Sequence, residues 1–355
     1  MRLKQMLVGL LSVICFIGFT TQADASYLVN MTSGGSKYIY SNNPESIEGN
    51  MVSTAPYGKY TVDQPLQNNT SYVSEFYHHN YTGASLRVGI AIKNNNNYTA
   101  NVRVQNKAIL AGKYTVDTAS SLLRDFGNSS NDQTISIPAN GTVVILSIAT
   151  PTQYIVNGKV KFIPQSGGLS ARNFFVSDNK YNLNELFKLP KATSTKNDMT
   201  SGFFNSDTRT LTVDAKTVSN FHLSAYTANP GEFETGTNVI GNSKLLGNYG
   251  IVYDVFLKNA TGKRIKITPN LASVGATQAQ IVLWTSSNSW YRTSYVSRNS
   301  AEKYWLMAVP SDGHFKYSLP GGNFGNVHFE IVNWHLSVLL QSFLTWVTIH
   351  AYKLK

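Results

Sequence analysis

The stretch Leu86–Asn94, with the sequence LRVGIAIKN, alternates large apolar residues with small or polar ones. An alternation of period two predicts a β-strand that buries one face and exposes the other. A second stretch, Ile251–Asn259 (IVYDVFLKN), alternates in the same way and ends on the same Lys-Asn pair. We therefore expect the two stretches to be corresponding core strands in two halves of the chain.

Further short motifs surround the two stretches in the same order. The first half carries Asn43-Pro44-Glu45, Asn80-Tyr81, Pro138-Ala139-Asn140-Gly141 and Val160-Lys161-Phe162-Ile163. The second half carries Asn229-Pro230-Gly231-Glu232, Asn248-Tyr249, Pro310-Ser311-Asp312-Gly313 and Val327-His328-Phe329-Glu330-Ile331. Short β-type runs and turn residues lie between them, as expected for a repeated β-domain. The sequence predicts an all-β protein with two tandem Ig-like or jelly-roll-type β-sandwiches, produced by an internal duplication.

Changes in composition predict where these domains begin and end. The predicted order is a signal peptide (1–25), a first sandwich (26–163), a linker (164–201), a second sandwich (202–334) and an apolar tail (335–355). The linker begins with the turn-forming run Gln165–Gly168 and has some structure of its own over Leu183–Leu189. Within the first sandwich, Ala119–Phe126 has the apolar spacing of a short helix.

The N-terminus has the pattern of a secretory signal peptide. Arg2 and Lys4 precede the apolar run Met6–Phe19, and Ala23-Asp24-Ala25 is a small-residue cleavage site. Cleavage after Ala25 predicts a secreted protein, extracellular or held at the cell surface. The chain's one cysteine, Cys15, lies inside the signal, so the mature protein has no thiol and no disulfide.

The net charge indicates what kind of polymer attracts the protein. The chain has 30 Lys and Arg against 19 Asp and Glu, and removing Arg2, Lys4 and Asp24 leaves 28 against 18, a net charge of +10. A basic exported protein is attracted to cell-wall polymers and other polyanions. The alternative is that the charge only aids solubility. Because the sequence has no dense Lys/Arg run, it gives no support for nucleic-acid binding.

The apolar tail, residues 335–355, has three interpretations. It packs on the second sandwich as a final strand or helix, it contacts a membrane, or it results from an altered reading frame. His335, Gln341 and several hydroxyl residues make it unlike an ordinary membrane span.

Catalytic motifs are missing from the sequence. It has no Gly-x-Ser-x-Gly nucleophile motif, no phosphate-binding glycine loop and no cysteine after the signal. We therefore predict a protein that is not an enzyme and that has no cofactor.

The strongest polar cluster is Glu75–His79, with the sequence EFYHH. On a strand, Glu75 and His79 share one face and His78 lies on the other. Three or four ligands do not converge, so we predict a polar strand end rather than a metal site.

Aromatic residues concentrate in the second half of the chain. Trp290 and Tyr291 follow a run of Ser and Asn, which predicts a loop position where a large ring is free to bind a ligand. These two residues and Tyr295 are the predicted ligand-binding residues, with carbohydrate stacking as the expected chemistry. Trp284 alternates within a strand and is predicted to lie in the core.

One family resemblance can be stated. Tyr40–Glu45 (YSNNPE), Tyr77-His78-His79 and Leu86–Asn94 resemble uncharacterised secreted proteins of spore-forming Gram-positive bacteria. Those proteins often occur beside copper amine oxidase-like N-terminal stalk domains. The resemblance implies secretion, but it assigns no catalytic residue, and since no stalk domain is evident here it implies no copper site.

Two functional hypotheses follow from the sequence. The first is an exported, non-enzymatic surface or matrix protein that binds a cell-wall polymer or another anionic polymer. The second is a secreted protein that binds or degrades carbohydrate.

Overall fold

The computed structural model describes residues 26–196, 198–225, 229–273, 275–286 and 289–333. The predicted signal peptide and apolar tail lie outside these ranges. In chain order, the strands as far as Phe204 are β1 (Thr32–Gly34), β2 (Lys37–Ser41), β3 (Ser46–Glu48), β4 (Gly58–Pro65), β5 (Tyr72–Tyr81), β6 (Leu86–Asn94), β7 (Ala100–Gly112), β8 (Gln133–Ile137), β9 (Thr142–Thr150), β10 (Ile155–Pro164), β11 (Leu169–Ser177) and β12 (Thr200–Phe204).

The remaining strands are β13 (Thr208–Asp214), β14 (Asn220–Leu223), β15 (Thr237–Gly241), β16 (Val252–Lys258), β17 (Lys263–Thr268), β18 (Gln278–Ala279), β19 (Val282–Trp284), β20 (Trp290–Arg292), β21 (Val296–Ser297), β22 (Trp305–Ala308), β23 (His314–Ser318) and β24 (Val327–Asn333). The described helices are α1 (Thr115–Asn128) and the 3-10 turns Gly49–Met51, Asp178–Lys180 and Leu183–Lys188.

Most of the described strands form two sandwiches, each with a larger and a smaller sheet, and β18 and β21 pair as a separate two-stranded sheet. In the first sandwich the larger sheet has the order β15-β12-β2-β5-β10-β7-β8, with β3 beside β5, and the smaller sheet has the order β4-β11-β6-β9. In the second, the orders are β1-β13-β16-β23-β19-β20 and β14-β24-β17-β22. Alternating apolar residues of both sheets fill each core, as in Leu86, Val88 and Ile90 of the first.

The two sandwiches share one strand order. In each, the larger sheet contains an antiparallel set of four, β5-β10-β7-β8 or β16-β23-β19-β20, with a parallel neighbour, β2 or β13. The smaller sheets, β4-β11-β6-β9 and β14-β24-β17-β22, correspond strand for strand. In both sandwiches the chain crosses between the larger and the smaller sheet in the same order. This is the double-sheet arrangement of a jelly roll. The predicted all-β sandwich class is confirmed, in the jelly-roll form rather than the Ig-like form.

The sequence motifs do not fall on corresponding strands. Lys93-Asn94 forms the last two residues of β6, whereas Lys258 is the last residue of β16. The strand that corresponds to β16 in the first sandwich is β5, not β6. Pro138–Gly141 joins β8 to β9, whereas Pro310–Gly313 joins β22 to β23, the counterparts of β9 and β10. The motif alignment is therefore displaced by one strand, and the duplication stays a prediction.

The connections after the two alternating stretches, Asn95–Asn97 and Ala260–Gly262, are short and rich in turn-forming residues, as in hairpin loops, but neither joins two paired strands. Both β6 to β7 and β16 to β17 pass from one sheet to the other. In a jelly roll most successive strands lie in opposite sheets, so a short loop does not imply a hairpin. The two Pro-x-x-Gly stretches are turns, because Gly141 N donates to Pro138 O at 2.9 Å and Gly313 N to Pro310 O at 2.8 Å.

The predicted domain limits also differ from the structure. Residues 164–201, predicted to be a linker, contain β11, which pairs with β4 on one side and β6 on the other. Leu169, Ala171 and Phe175 of β11 are buried in the first core, so the Gly-rich run before it is only a turn between strands.

The sandwiches also exchange strands. β1, from the N-terminal end, pairs with β13 of the second sandwich, and β12 pairs with β2 of the first. Val29 and Met31, which precede β1, are buried in the second core. Since each exchanged strand is joined to the other sandwich by only a few residues, the two sandwiches are tied together at two places.

Helix α1 lies where the sequence predicts a helix, in the connection between β7 and β8. Its Ala119 packs with Tyr77 and Ile155 of the first sandwich. Its Leu122 and Leu123 pack with Val282 of the second. The helix therefore covers part of the outer face of both larger sheets. Among the described residues, no helix is long and apolar enough to cross a membrane.

Candidate functional site

The outer face of the first sandwich's larger sheet holds a buried ion pair. Glu75 of β5 lies directly opposite Lys159 of β10, with Lys159 Nζ 2.8 Å from Glu75 Oε2 and side-chain exposures of 3% and 4%. Tyr38 Oη donates to Glu75 at 2.9 Å, and Lys159 donates to the Gly250 carbonyl of the second sandwich at 2.7 Å. Burial, and then the Glu75 charge, raises the pKa of Tyr38 well above its usual value. These groups satisfy one another and are covered.

The corresponding strands of the second sandwich present similar residues to solvent. Asp254 of β16 lies opposite Lys316 of β23. Here the carboxylate accepts a hydrogen bond from His314 Nε2 at 2.6 Å, and the His314 and Asp254 side chains are 20% and 22% exposed. The Lys316 ammonium lies 5.2 Å from the centre of the Trp284 ring. The acid and the lysine are thus turned to different neighbours.

Aromatic rings surround these polar groups. The rings of Phe256 and His314 stack with centroids 4.4 Å apart and planes 4° apart. Trp284 lies 5.2 Å from His314 at an angle of 58°. We call Asp254, Phe256, Trp284, His314 and Lys316 the aromatic platform; all are partly exposed on the outer face of the sheet.

The aromatic platform combines ring faces with a hydrogen-bond acceptor and a cation. Ring faces bind flat apolar surfaces, such as the C–H face of a sugar, and give more than the buried area alone. Beside these rings, the Asp254 carboxylate can accept from hydroxyl groups and the Lys316 ammonium, which lies over the Trp284 ring, can donate to them. Such a surface is suited to binding.

The predicted ligand-binding residues lie elsewhere. Trp290 and Tyr291 are in strand β20 rather than on a loop. Trp290 packs closely on α1, where a Cβ at Gly127 would lie 2.3 Å from its Cδ1 atom. Tyr291 packs against the second core, and Tyr295 donates to Asp117 of α1 at 3.1 Å. Trp290 and Tyr295 therefore connect the sandwiches, whereas Tyr291 stabilises the second one.

Trp284, predicted to be a core residue, lies outside the core. Leu283 is the β19 residue that enters the second core, so its neighbours Val282 and Trp284 point outward. Val282 is covered by α1, and Trp284 is not fully covered. The clustering of aromatic residues in this part of the sequence indicates the right region, but Trp290, Tyr291 and Tyr295 are not part of the aromatic platform.

The polar cluster on β5 is divided between two environments. His78 points inward, donating from Nδ1 to Pro44 O at 2.7 Å and accepting from Ser41 Oγ at Nε2, 2.9 Å away. Burial lowers its pKa to about 4, so it is a neutral structural residue. Glu75 belongs to the buried ion pair, and His79 lines a cleft between the sandwiches. No group of three or more metal-binding side chains occurs in the described part of the chain.

Comparisons with known proteins do not identify a family. No protein-family model matches the sequence, and no curated protein matches it. Among solved structures, the CUB1-EGF-CUB2 domain of human MASP-1/3 aligns at 6% identity over 78% of this chain and 98% of that chain, with a TM-score of 0.18.

Two further solved structures align to a similar extent. The PBSX exported protein XepA is 7% identical over 77% of this chain and 85% of that chain, with a TM-score of 0.16. The M60 catalytic domain with the CBM51-1 and CBM51-2 domains of Clostridium perfringens ZmpB is 8% identical over 88% of this chain and 38% of that chain, with a TM-score of 0.17. Scores this low carry no argument about function.

Proposed function

We propose that this protein is an exported, non-enzymatic binding protein that holds an extracellular or cell-wall polysaccharide on the aromatic platform. The observation that carries the proposal is the set of partly exposed rings, Phe256, Trp284 and His314, beside the Asp254 carboxylate and the Lys316 ammonium. A contiguous patch of partly exposed rings, rimmed by polar groups, is typical of a binding surface, whereas single exposed apolar side chains are common everywhere.

Binding is a better account of this surface than hydrolysis. Glycoside hydrolysis ordinarily needs two carboxyl groups on either side of the bond that is cleaved. The aromatic platform holds one, Asp254, which is already bonded to His314 at 2.6 Å. The platform therefore supports the carbohydrate-binding hypothesis without its degrading alternative.

The positive charge supports an anionic polymer as the partner. The formal net charge of the whole chain is +11, and it remains +10 after removal of the predicted signal peptide, by the residue counts given above. Long-range attraction to a polyanion weakens with salt, whereas ring stacking depends little on ionic strength. We expect salt to lower the affinity for isolated cell wall without abolishing it.

The test compares two aromatic truncations. Trp284→Ala should weaken binding of the purified mature protein to insoluble polysaccharide about tenfold, or ~1.4 kcal/mol, because it removes the largest ring of the platform. Tyr98→Ala is the matched control, since Tyr98 is 55% exposed on the first sandwich. Binding isotherms on cell wall and on purified polysaccharides measure both. Equal affinities for the wild type and Trp284→Ala would remove the proposal's main support.

A further inference from the structure

A cleft of about 530 Å³ lies between the ends of the two sandwiches. One wall is formed by the outer face of β5, another by the start of α1, and the opposite wall by Gln278 of β18 and by loops of the second sandwich that include Phe324. Small-molecule sites commonly have volumes of roughly 300–1,000 Å³ and occur at domain interfaces. We call this the inter-sandwich cleft.

Three aromatic side chains follow one wall of the cleft. Tyr77, His79 and Tyr81 alternate along β5 and so share its outer face. The ring centroids of Tyr77 and His79 are 5.8 Å apart, and those of His79 and Tyr81 are also 5.8 Å apart, with the last pair stacked at 18°. Tyr81 is 49% exposed, so part of this row is open to a ligand.

The charges in the cleft leave one lysine uncompensated. Glu45 is paired with Lys196 at 3.2 Å. Burial is the largest cause that lowers the pKa of His79, which keeps the ring neutral at pH 7. Lys113 lies 5.7 Å from the Tyr154 ring centre, and no carboxylate of the described residues forms an ion pair with it. The cleft therefore has an excess of positive charge beside its aromatic wall.

From this arrangement we infer that the inter-sandwich cleft binds an acidic sugar unit, that is, a sugar ring that carries a carboxylate. The ring packs on Tyr81, the carboxylate pairs with Lys113, and Gln278 and Thr115 bond the hydroxyl groups. The inference rests on the proposed function and makes it more specific, since the aromatic platform has an acid and a lysine in balance and does not select for charge. Contacts from both sandwiches make the cleft a second, charge-selective site.

The experiment uses two soluble probes, a uronic-acid tetramer and a neutral hexose tetramer of the same length. Calorimetry on the full mature chain should show the acidic tetramer binding at least tenfold more tightly than the neutral one. Lys113→Gln and Tyr81→Ala should each lower the affinity for the acidic tetramer about tenfold. Lys113→Arg should retain most of this affinity. Both positions are exposed, and thermal denaturation checks that the variants are folded.

Two controls separate this inference from the proposed function. Lys216→Gln makes the same charge change at an exposed site outside the cleft and should leave the acidic tetramer's affinity unchanged. Trp284→Ala should also leave the affinity for the acidic tetramer unchanged, although it weakens binding to insoluble polysaccharide. If Trp284→Ala alone abolishes tetramer binding, the platform binds the acid and the cleft inference is wrong. The cleft inference is also wrong if the acidic tetramer does not bind the wild type, or if Lys216→Gln and Lys113→Gln lose the same amount of affinity for it.

Discussion

The two sandwiches place an acid opposite a lysine on corresponding strand pairs, but with different results. In the first, Glu75 and Lys159 are buried, are 2.8 Å apart and also bond to other parts of the fold. In the second, Asp254 is bonded to His314 and Lys316 lies over Trp284, all partly exposed. Since the strand order is the same, the difference comes from what lies over each sheet. Helix α1 and the second sandwich cover the acid and lysine of the first sandwich, whereas part of the outer face of the second sandwich's larger sheet stays open.

The largest effect should come from the buried ion pair. Lys159→Met leaves the Glu75 carboxylate buried without its cation, which should lower the free energy of unfolding by about 3–5 kcal/mol. Lys316→Met, at the corresponding exposed site, should cost less than about 1 kcal/mol. Urea denaturation measures both. The double variant Glu75→Gln/Lys159→Met should regain part of the loss; similar losses in Lys159→Met and Lys316→Met would contradict the comparison.

A somewhat smaller effect should come from the buried His78 of β5, since the corresponding strand of the second sandwich, β16, contains no histidine. The pKa of His78 is lowered to about 4 in the folded protein, against about 6.5 when unfolded. A lowered pKa means that the folded state resists protonation. Stability is therefore full above pH 6.5 and falls as the pH drops toward 4, by about 3 kcal/mol.

Denaturation at pH 7 and at pH 4.5 measures this dependence. His78→Leu should be less stable at pH 7, because Pro44 O and Ser41 lose a partner, yet it should lose less stability on acidification than the wild type. His79, His222 and His328, whose pKa values burial also lowers, supply the dependence that remains. An unchanged difference between the two pH values in His78→Leu would assign the acid sensitivity to them instead.

The smallest of these effects on stability compares two tryptophans that lie directly opposite each other, Trp284 on β19 and Trp290 on β20. Trp290→Ala removes packing on α1 and should lower the free energy of unfolding by about 2 kcal/mol, without changing the affinity for polysaccharide. Trp284→Ala should lower the affinity for polysaccharide and leave the free energy of unfolding nearly unchanged. Thermal denaturation and binding isotherms on the same preparations test both variants. If either variant loses both stability and affinity, the assignment of packing to Trp290 and of ligand binding to Trp284 is wrong.

Much of the fold was predictable because strands carry a local signal. The alternation in Leu86–Asn94 and Ile251–Asn259 follows from one face being buried, so it identifies strands wherever they pair. The apolar spacing in Ala119–Phe126 identified the helix for the same reason. The pairing itself was not predictable: two identical Lys-Asn endings lie on strands that do not correspond, because a two-residue motif records a strand end and not its neighbours.

The sequence by itself determined the β class, the strands, the helix and the aromatic enrichment of the second half. Only the tertiary structure decided which outward-facing residues remain open. Trp284 and Trp290 both point outward from one sheet, and they differ because Asn128 and Gly127 of α1, about 160 positions away in the chain, lie against Trp290. Local periodicity reports the face on which a side chain lies, whereas its exposure depends on what long-range packing places over that face.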